Sequence, residues 1–136
     1  MAKRQHKDIF ASDIAWTLSE NGVHYAPFPL DPDDAAGSPL VLLAKFKPGE
    51  SIYPHTHGCN YLEYIVEGSQ RVGKVSFSAG DVRWASAGTG YGPIEVGPDG
   101  CTVMIVFQSA DQAPMIPLGM ARRDHGGNAA TGQAQS

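Results

Sequence analysis

Punctuation by glycine and proline constrains this fold more than any other feature. Sixteen glycines and ten prolines fall along 136 residues. No long apolar period of 3.6 runs through them, so the apolar residues are divided into strand-length runs separated by turns. Pro39 to Lys47 holds Leu40 to Ala44 and Phe46, a near-continuous apolar run that predicts a buried strand. Tyr61 to Val66, Val82 to Ala85 and Cys101 to Phe107 also read as strands, and Gly73-Lys74 predicts a tight hairpin turn. Asn21-Gly22 predicts a turn, and Val23 to Tyr25 a short strand that Pro27 and Pro29 end. Asp8 to Ser19 admits two readings: the alternation of Ile14, Trp16 and Leu18 favours an edge strand, while Ser12-Asp13 would equally cap a short helix. The composition is all-β.

A chain of this length suits one domain with one core. The formal net charge is −4, with no basic run beyond Lys3-Arg4 and Arg122-Arg123, so no nucleic-acid partner is expected. No apolar run approaches the roughly 18 residues that cross a bilayer, and the polar N-terminus lacks the apolar segment of an export signal, so no membrane partner and a cytoplasmic location are expected. Cys59 and Cys101 are then expected to be thiols. Asp31 to Ser38 is acidic but lacks the spaced oxygen ligands of a calcium loop, and reads as a solvated turn. The chain divides into N-terminal strands or an arm over 1–30, a core over 31–113, and an extension over 114–136. Within that extension Met115 to Met120 is expected to pack across a barrel edge or a neighbouring subunit, and Arg122 to Ser136 is expected to be a disordered tail.

The stretch from Gly49 to Gly68 carries the chemistry. His55 and His57, one residue apart after Pro54, share a face of any extended strand and so point at one space. Gly58-Cys59-Asn60 reads as a turn. On the returning strand Tyr61, Glu63 and Ile65 share a face, and if that face looks toward the histidines Glu63 adds a carboxylate. Two imidazoles and a carboxylate with open positions suit non-haem iron and tolerate manganese, nickel or zinc. Cys59 offers a soft alternative ligand, whereas His24, alone on a short strand, reads as a surface or packing residue. The bland alternative is that His55 and His57 are hydrogen-bonded core residues with no metal.

The same stretch resembles the first motif of the cupins, which runs Gly, five residues, His-x-His, three or four residues, Glu, six residues, Gly. Gly49, His55 and His57 fit; Tyr61 holds the family's Glu position, with Glu63 two residues later on the same face. The second cupin motif matches at Gly80, Gly88 and Tyr91, with Ser86 for its proline and Tyr91 for its histidine. The resemblance covers about residues 39–108 and implies a small antiparallel β-barrel or jelly roll with the site in its mouth. It also implies a divalent transition metal, Fe(II) before Mn, Ni or Zn, held by His55, His57 and Glu63. Tyr61 and Tyr91 are the expected catalytic hydrogen-bond donors, and Trp84, Met104 and Phe107 the expected apolar floor of the pocket. The function expected is a metal-dependent, dioxygenase-like oxidoreductase acting on a small oxygenated organic molecule. A small-molecule-binding sensor and a non-redox isomerase or lyase are the alternatives, and a homodimer is the expected assembly.

Overall fold

The computed structural model describes residues 6–118; the tail expected over 122–136, the Lys3-Arg4 pair and the end of the apolar extension lie outside the described residues. Ten strands follow in chain order: β1 (Thr17–Leu18), β2 (His24–Pro29), β3 (Leu40–Phe46), β4 (Ser51–Ile52), β5 (His55–Thr56), β6 (Tyr61–Val72), β7 (Val75–Ser78), β8 (Val82–Ala85), β9 (Ile94–Phe107) and β10 (Ile116–Pro117). Eight of them form one antiparallel sheet in the order β1-β2-β3-β9-β6-β7, with β4 added on β9 and β8 on β6, while β10 and β5 pair separately. The sheet is an all-β jelly roll whose ladders do not close into a complete barrel among the described residues. No helix there is long and apolar enough to cross a membrane.

The proline-rich strand runs further than the sequence suggested. β2 continues through Pro27 and Pro29, because β1 pairs only with His24 and Tyr25 and leaves the rest of β2 as an edge. Two prolines two residues apart place their missing N–H groups toward the same side, which an edge tolerates. Upstream, the edge-strand reading of Asp8 to Ser19 survives as the two-residue β1, whereas no helix capped by Ser12-Asp13 forms: both residues lie within a single 3-10 turn over Ala11–Asp13 that starts at Phe10 without a side-chain cap. The acidic loop is a capped turn, with Asp31 Oδ1 accepting from the Asp33 amide at 3.0 Å.

Period-two alternation builds the core. Leu40 and Ala44 of β3 lie opposite Phe107 and Val103 of β9, and Ile65 of β6 also lies opposite Val103; all are buried. The long strand β6 keeps Tyr61, Glu63 and Ile65 inside, as expected. Its register against β9 then slips between Ile65 and Glu67 and between Gly68 and Gln70, which returns Gln70 and Val72 to the interior. The slip passes through Gly68, whose φ of +82° and contact with the Gly100 carbonyl leave no room for a side chain. Gly73-Lys74 forms the expected two-residue turn, since Val72 pairs with Val75.

Two pocket residues expected from the sequence face the other way. β8 is registered on β6 with Arg83 opposite Glu63 and Trp84 opposite Leu62, so Arg83 and Ala85 turn inward. Trp84 stands on the outer face and is 64% exposed. Met104 shares the outer face of β9, opposite Leu43 and Tyr64, because Val103, Ile105 and Phe107 take the inner one. Phe107 is 1% exposed, where the sequence placed it.

Candidate functional site

His55 and His57 lie side by side in the interior, with ring centroids 5.1 Å apart, and each is 3 to 4% exposed. Each is oriented by a backbone carbonyl. Nδ1 of His55 donates to the Tyr53 carbonyl at 2.9 Å, and Nδ1 of His57 to the Ala113 carbonyl at 2.6 Å. Because a carbonyl only accepts, both protons sit on Nδ1 and both Nε2 atoms carry lone pairs. Burial lowers the pKa of both rings, and that of His55 falls to about 4 against the pull of the Tyr53 carbonyl, so both are neutral at pH 7.

Tyr91 is tied to His55 through both backbone and side chain. Two backbone hydrogen bonds, His55 N to Tyr91 O at 3.1 Å and Tyr91 N to His55 O at 3.2 Å, hold the loop after β8 against the histidine segment. The Tyr91 hydroxyl then lies 2.8 Å from Nε2 of His55. Burial pushes the phenol pKa up, so the hydroxyl keeps its proton and donates it to that lone pair. The position at which the family pattern expects a histidine is thus filled by a neutral donor. Tyr61, at the family's Glu position, is 3% exposed and packs edge-on against His57 at 4.8 Å between centroids. Burial raises its pKa as well.

Glu63 reaches the interior but is already engaged there. Its Oε1 accepts from Nη2 of Arg83 at 2.9 Å and from Nε2 of Gln70 at 3.0 Å. The two ion-paired side chains are 12% and 4% exposed. Burial is the largest single influence on Arg83 and works against its charge, but Glu63, Tyr91 and Tyr61 together outweigh it and the guanidinium pKa is raised. The guanidinium also lies 4.3 Å over the Tyr91 ring. Neither Arg83 nor Gln70 was expected from the sequence. A signal for Arg83 was present: a buried carboxylate calls for a cation, and Arg83 is the one basic residue on an otherwise apolar strand.

These contacts decide how well the site suits the divalent cation that the motif implies. Nε2 of His55 is occupied by Tyr91, and Glu63 is neutralised by Arg83. The thiol of Cys59 points to the Ser109 and Gln112 carbonyls at 3.7 and 3.8 Å, as a packing residue. Among the described residues no three of His, Cys, Asp and Glu converge as a metal site. Arg83 acts as a fixed cation whose field already disfavours positive charge on both imidazoles. The donor set His55, His57 and Glu63 therefore does not fit a resident divalent ion. His24, on the outer part of β2, is exposed and apart from the site.

The histidines face a cavity of about 250 Å³ walled largely by apolar side chains such as Leu42, Phe46, Ile94, Ile105 and Phe107. Its polar surface includes His57, Glu63 and Tyr91, and Ala113 to Met115 close one side. That last segment belongs to the C-terminal strap. Strand β10 pairs with β5 so that Ile116 lies opposite Thr56 and Pro117 opposite His55, which matches the expectation that this apolar piece packs across an edge.

No protein-family profile matches the sequence, and no curated protein matches it either. Solved structures do resemble it. The polyketide cyclase RemF from Streptomyces resistomycificus aligns over 97% of this chain and 100% of its own, with a TM-score of 0.70 at 15% identity. An RmlC-like cupin protein from Ralstonia eutropha aligns over 86% of this chain and 74% of its own, with a TM-score of 0.68 at 18% identity. KdgF from a Halomonas species aligns over 79% and 97%, with a TM-score of 0.64 at 21% identity.

Proposed function

We propose that this chain, built on the cupin jelly-roll fold, binds a small, mainly apolar molecule carrying a hydroxyl group, such as a phenol or an enol. The observation that carries the reading is His57. Its Nδ1–H is fixed on the Ala113 carbonyl, which leaves Nε2 as an acceptor on a largely apolar cavity. Both hydrogen bonds to Glu63 land on Oε1, so Oε2 is a second acceptor on the same wall. A wall of acceptors selects a ligand that donates, and the apolar remainder selects a ligand with a hydrocarbon body.

The neutrality of the site favours recognition over proton transfer. His55, with a pKa near 4, is a weak base at pH 7, Tyr91, pushed above its ordinary range, is a weak acid, and the two are engaged with each other, so that pair is not matched to general acid-base work. A binding or sensing role for a small molecule therefore comes first. The metal-dependent oxidative reading rests on a different observation: both imidazoles hold Nδ1 on a carbonyl, the support that metal-ligating histidines usually have. It requires Tyr91 and Glu63 to leave their present partners.

Calorimetric titration with p-cresol and with toluene tests the first reading. One hydrogen bond is worth about 0.5–1.5 kcal/mol net, so p-cresol should bind roughly three- to tenfold more tightly, and His57→Phe should abolish the preference. Equal affinities in the wild-type protein would refute the reading. Stoichiometric iron, manganese, nickel or zinc in protein purified without chelator, lost in both His55→Ala and His57→Ala, would replace it with the metal-dependent one.

A further inference from the structure

The outer face of the sheet is apolar where an antiparallel sheet usually meets water with polar side chains. Cross-strand register sets two adjacent rows over β8, β6, β9 and β3: Trp84, Leu62, Val106 and Val41 in one, Val82, Tyr64, Met104 and Leu43 in the other. No charged side chain falls in either row, and the Tyr64 hydroxyl is their one polar side-chain group. Glu67, Thr102 and Lys45 border the second row, and Asn60 and Gln108 lie beyond the first. An apolar centre inside a polar rim is the make-up of a protein–protein interface.

Area decides what kind of partner suits. Aromatic side chains carry roughly 150–250 Å² each, so Trp84 at 64% and Tyr64 at 37% exposure together leave about 150–250 Å² open. With Val82 and the five half-buried members of the rows, the open apolar area is on the order of 450 Å², a size that on a single chain often marks a functional surface. Two such faces pressed together remove about 1,000 Å² once their rims are counted, the size at which specific interfaces begin. Residues 1–5 and 119–136 offer only methionine and alanine as apolar side chains, which suits them poorly as a cover for it.

The face also fits itself. Tyr64, Val82 and Trp84 on β6 and β8 stand exposed, whereas Val41 and Leu43 on β3 and Met104 and Val106 on β9 are half-buried, so one side is raised and the other recessed. A two-fold axis along the seam between β6 and β9 would lay the raised side of each copy on the recessed side of the other. We propose that this outer face binds a second copy of the chain in an isologous dimer centred on that seam, with Trp84 and Tyr64 as its anchors. The hydroxyl-binding cavity lies on the opposite side of the sheet, and none of the eight residues lines it, so the dimer leaves it open.

Sedimentation equilibrium of the full chain tests the proposal. The wild-type protein should sediment at twice its chain mass at tens of micromolar. Trp84→Glu, which sets a carboxylate from each copy into the apolar contact, should weaken the dimer at least about thirtyfold. Val75→Glu is the control: Val75 is 55% exposed but lies opposite the buried Val72, on the other side of the sheet, and its substitution should leave the dimer intact. A second measurement keeps the face itself unaltered. In Trp16→Phe the only tryptophan left is Trp84, whose fluorescence should shift to the blue and lose acrylamide quenching as concentration rises through the dimerisation range. A wild-type protein that stays monomeric at tens of micromolar would overturn the proposal and leave the face to another macromolecule. A dimer that Trp84→Glu weakens no more than Val75→Glu does, or one that forms with Trp84 still freely quenched, would overturn it as well.

Discussion

Replacing Arg83 by methionine isolates the interaction on which the interior polar wall depends. The substitution keeps much of the side-chain length and removes the charge, so Glu63, whose side chain is 4% exposed, is left with only Gln70 as a partner. Breaking a buried ion pair from one side costs about 3–5 kcal/mol, because the surviving charge has lost both water and counter-ion. The guanidinium over the Tyr91 ring disappears as well, a loss of roughly 0.5–2 kcal/mol. For a chain of this size about 3–5 °C of melting temperature corresponds to each kcal/mol, so Arg83→Met should melt roughly 10–35 °C lower. Adding Glu63→Gln removes the stranded charge and leaves an amide that Gln70 can still meet, so the double variant should regain at least half of the loss. The assay is urea unfolding of the four members of this cycle, and a coupling of at least about 2 kcal/mol is expected. A single-variant cost below about 1 kcal/mol, or a double variant that costs the sum of the two singles, would refute the reasoning.

Acid should destabilise the protein through its histidines. The pKa of His55 drops from 6.5 to about 4 on folding and that of His57 moves the same way, so between these pH values the unfolded chain binds protons that the folded chain does not. Stability is therefore fully present above pH 6.5 and falls as pH drops toward 4, by on the order of 3 kcal/mol for His55. Urea midpoints at pH 7 and pH 5 should differ in the wild-type protein and differ less in His55→Asn; a flat profile would contradict the burial of the pair. Two glycines separate strain from collision: Gly49 has a φ of +75° in open space, whereas Gly68 at +82° abuts the Gly100 carbonyl. By thermal unfolding, Gly49→Ala should cost about 1–2 kcal/mol and Gly68→Ala clearly more.

Much of the scaffold was legible because period two is a strict rule. The shared face of His55 and His57, the inward set Tyr61, Glu63 and Ile65, the hairpin at Gly73-Lys74 and the burial of Phe107 all follow from it. The rule fixes alternation but not phase, and this is where Trp84 and Met104 went astray. Cys101 to Phe107 is apolar on both faces, and on β8 the arginine rather than the tryptophan turns inward because Glu63 lies directly across from it. Nor does alternation say what a carboxylate meets once inside: Glu63 is on the predicted face, yet a cation on a neighbouring strand holds it. Gln70 was illegible for a different reason, since the register slip that turns it inward depends on contacts between β6 and β9 far apart in sequence.

The hydrogen bond from His57 to the Ala113 carbonyl also sets a clock on the protein's biosynthesis. The two residues are 56 positions apart, and at about 5–20 residues per second the ribosome takes roughly 3–11 s to make the chain between them. Throughout that interval the imidazole has no carbonyl to fix its tautomer, and the strap that walls the cavity has not been made. The central strand β9, on which β3, β4 and β6 pair, is made only at the end of the same interval, so the cavity is complete only when both sheet and strap are in place.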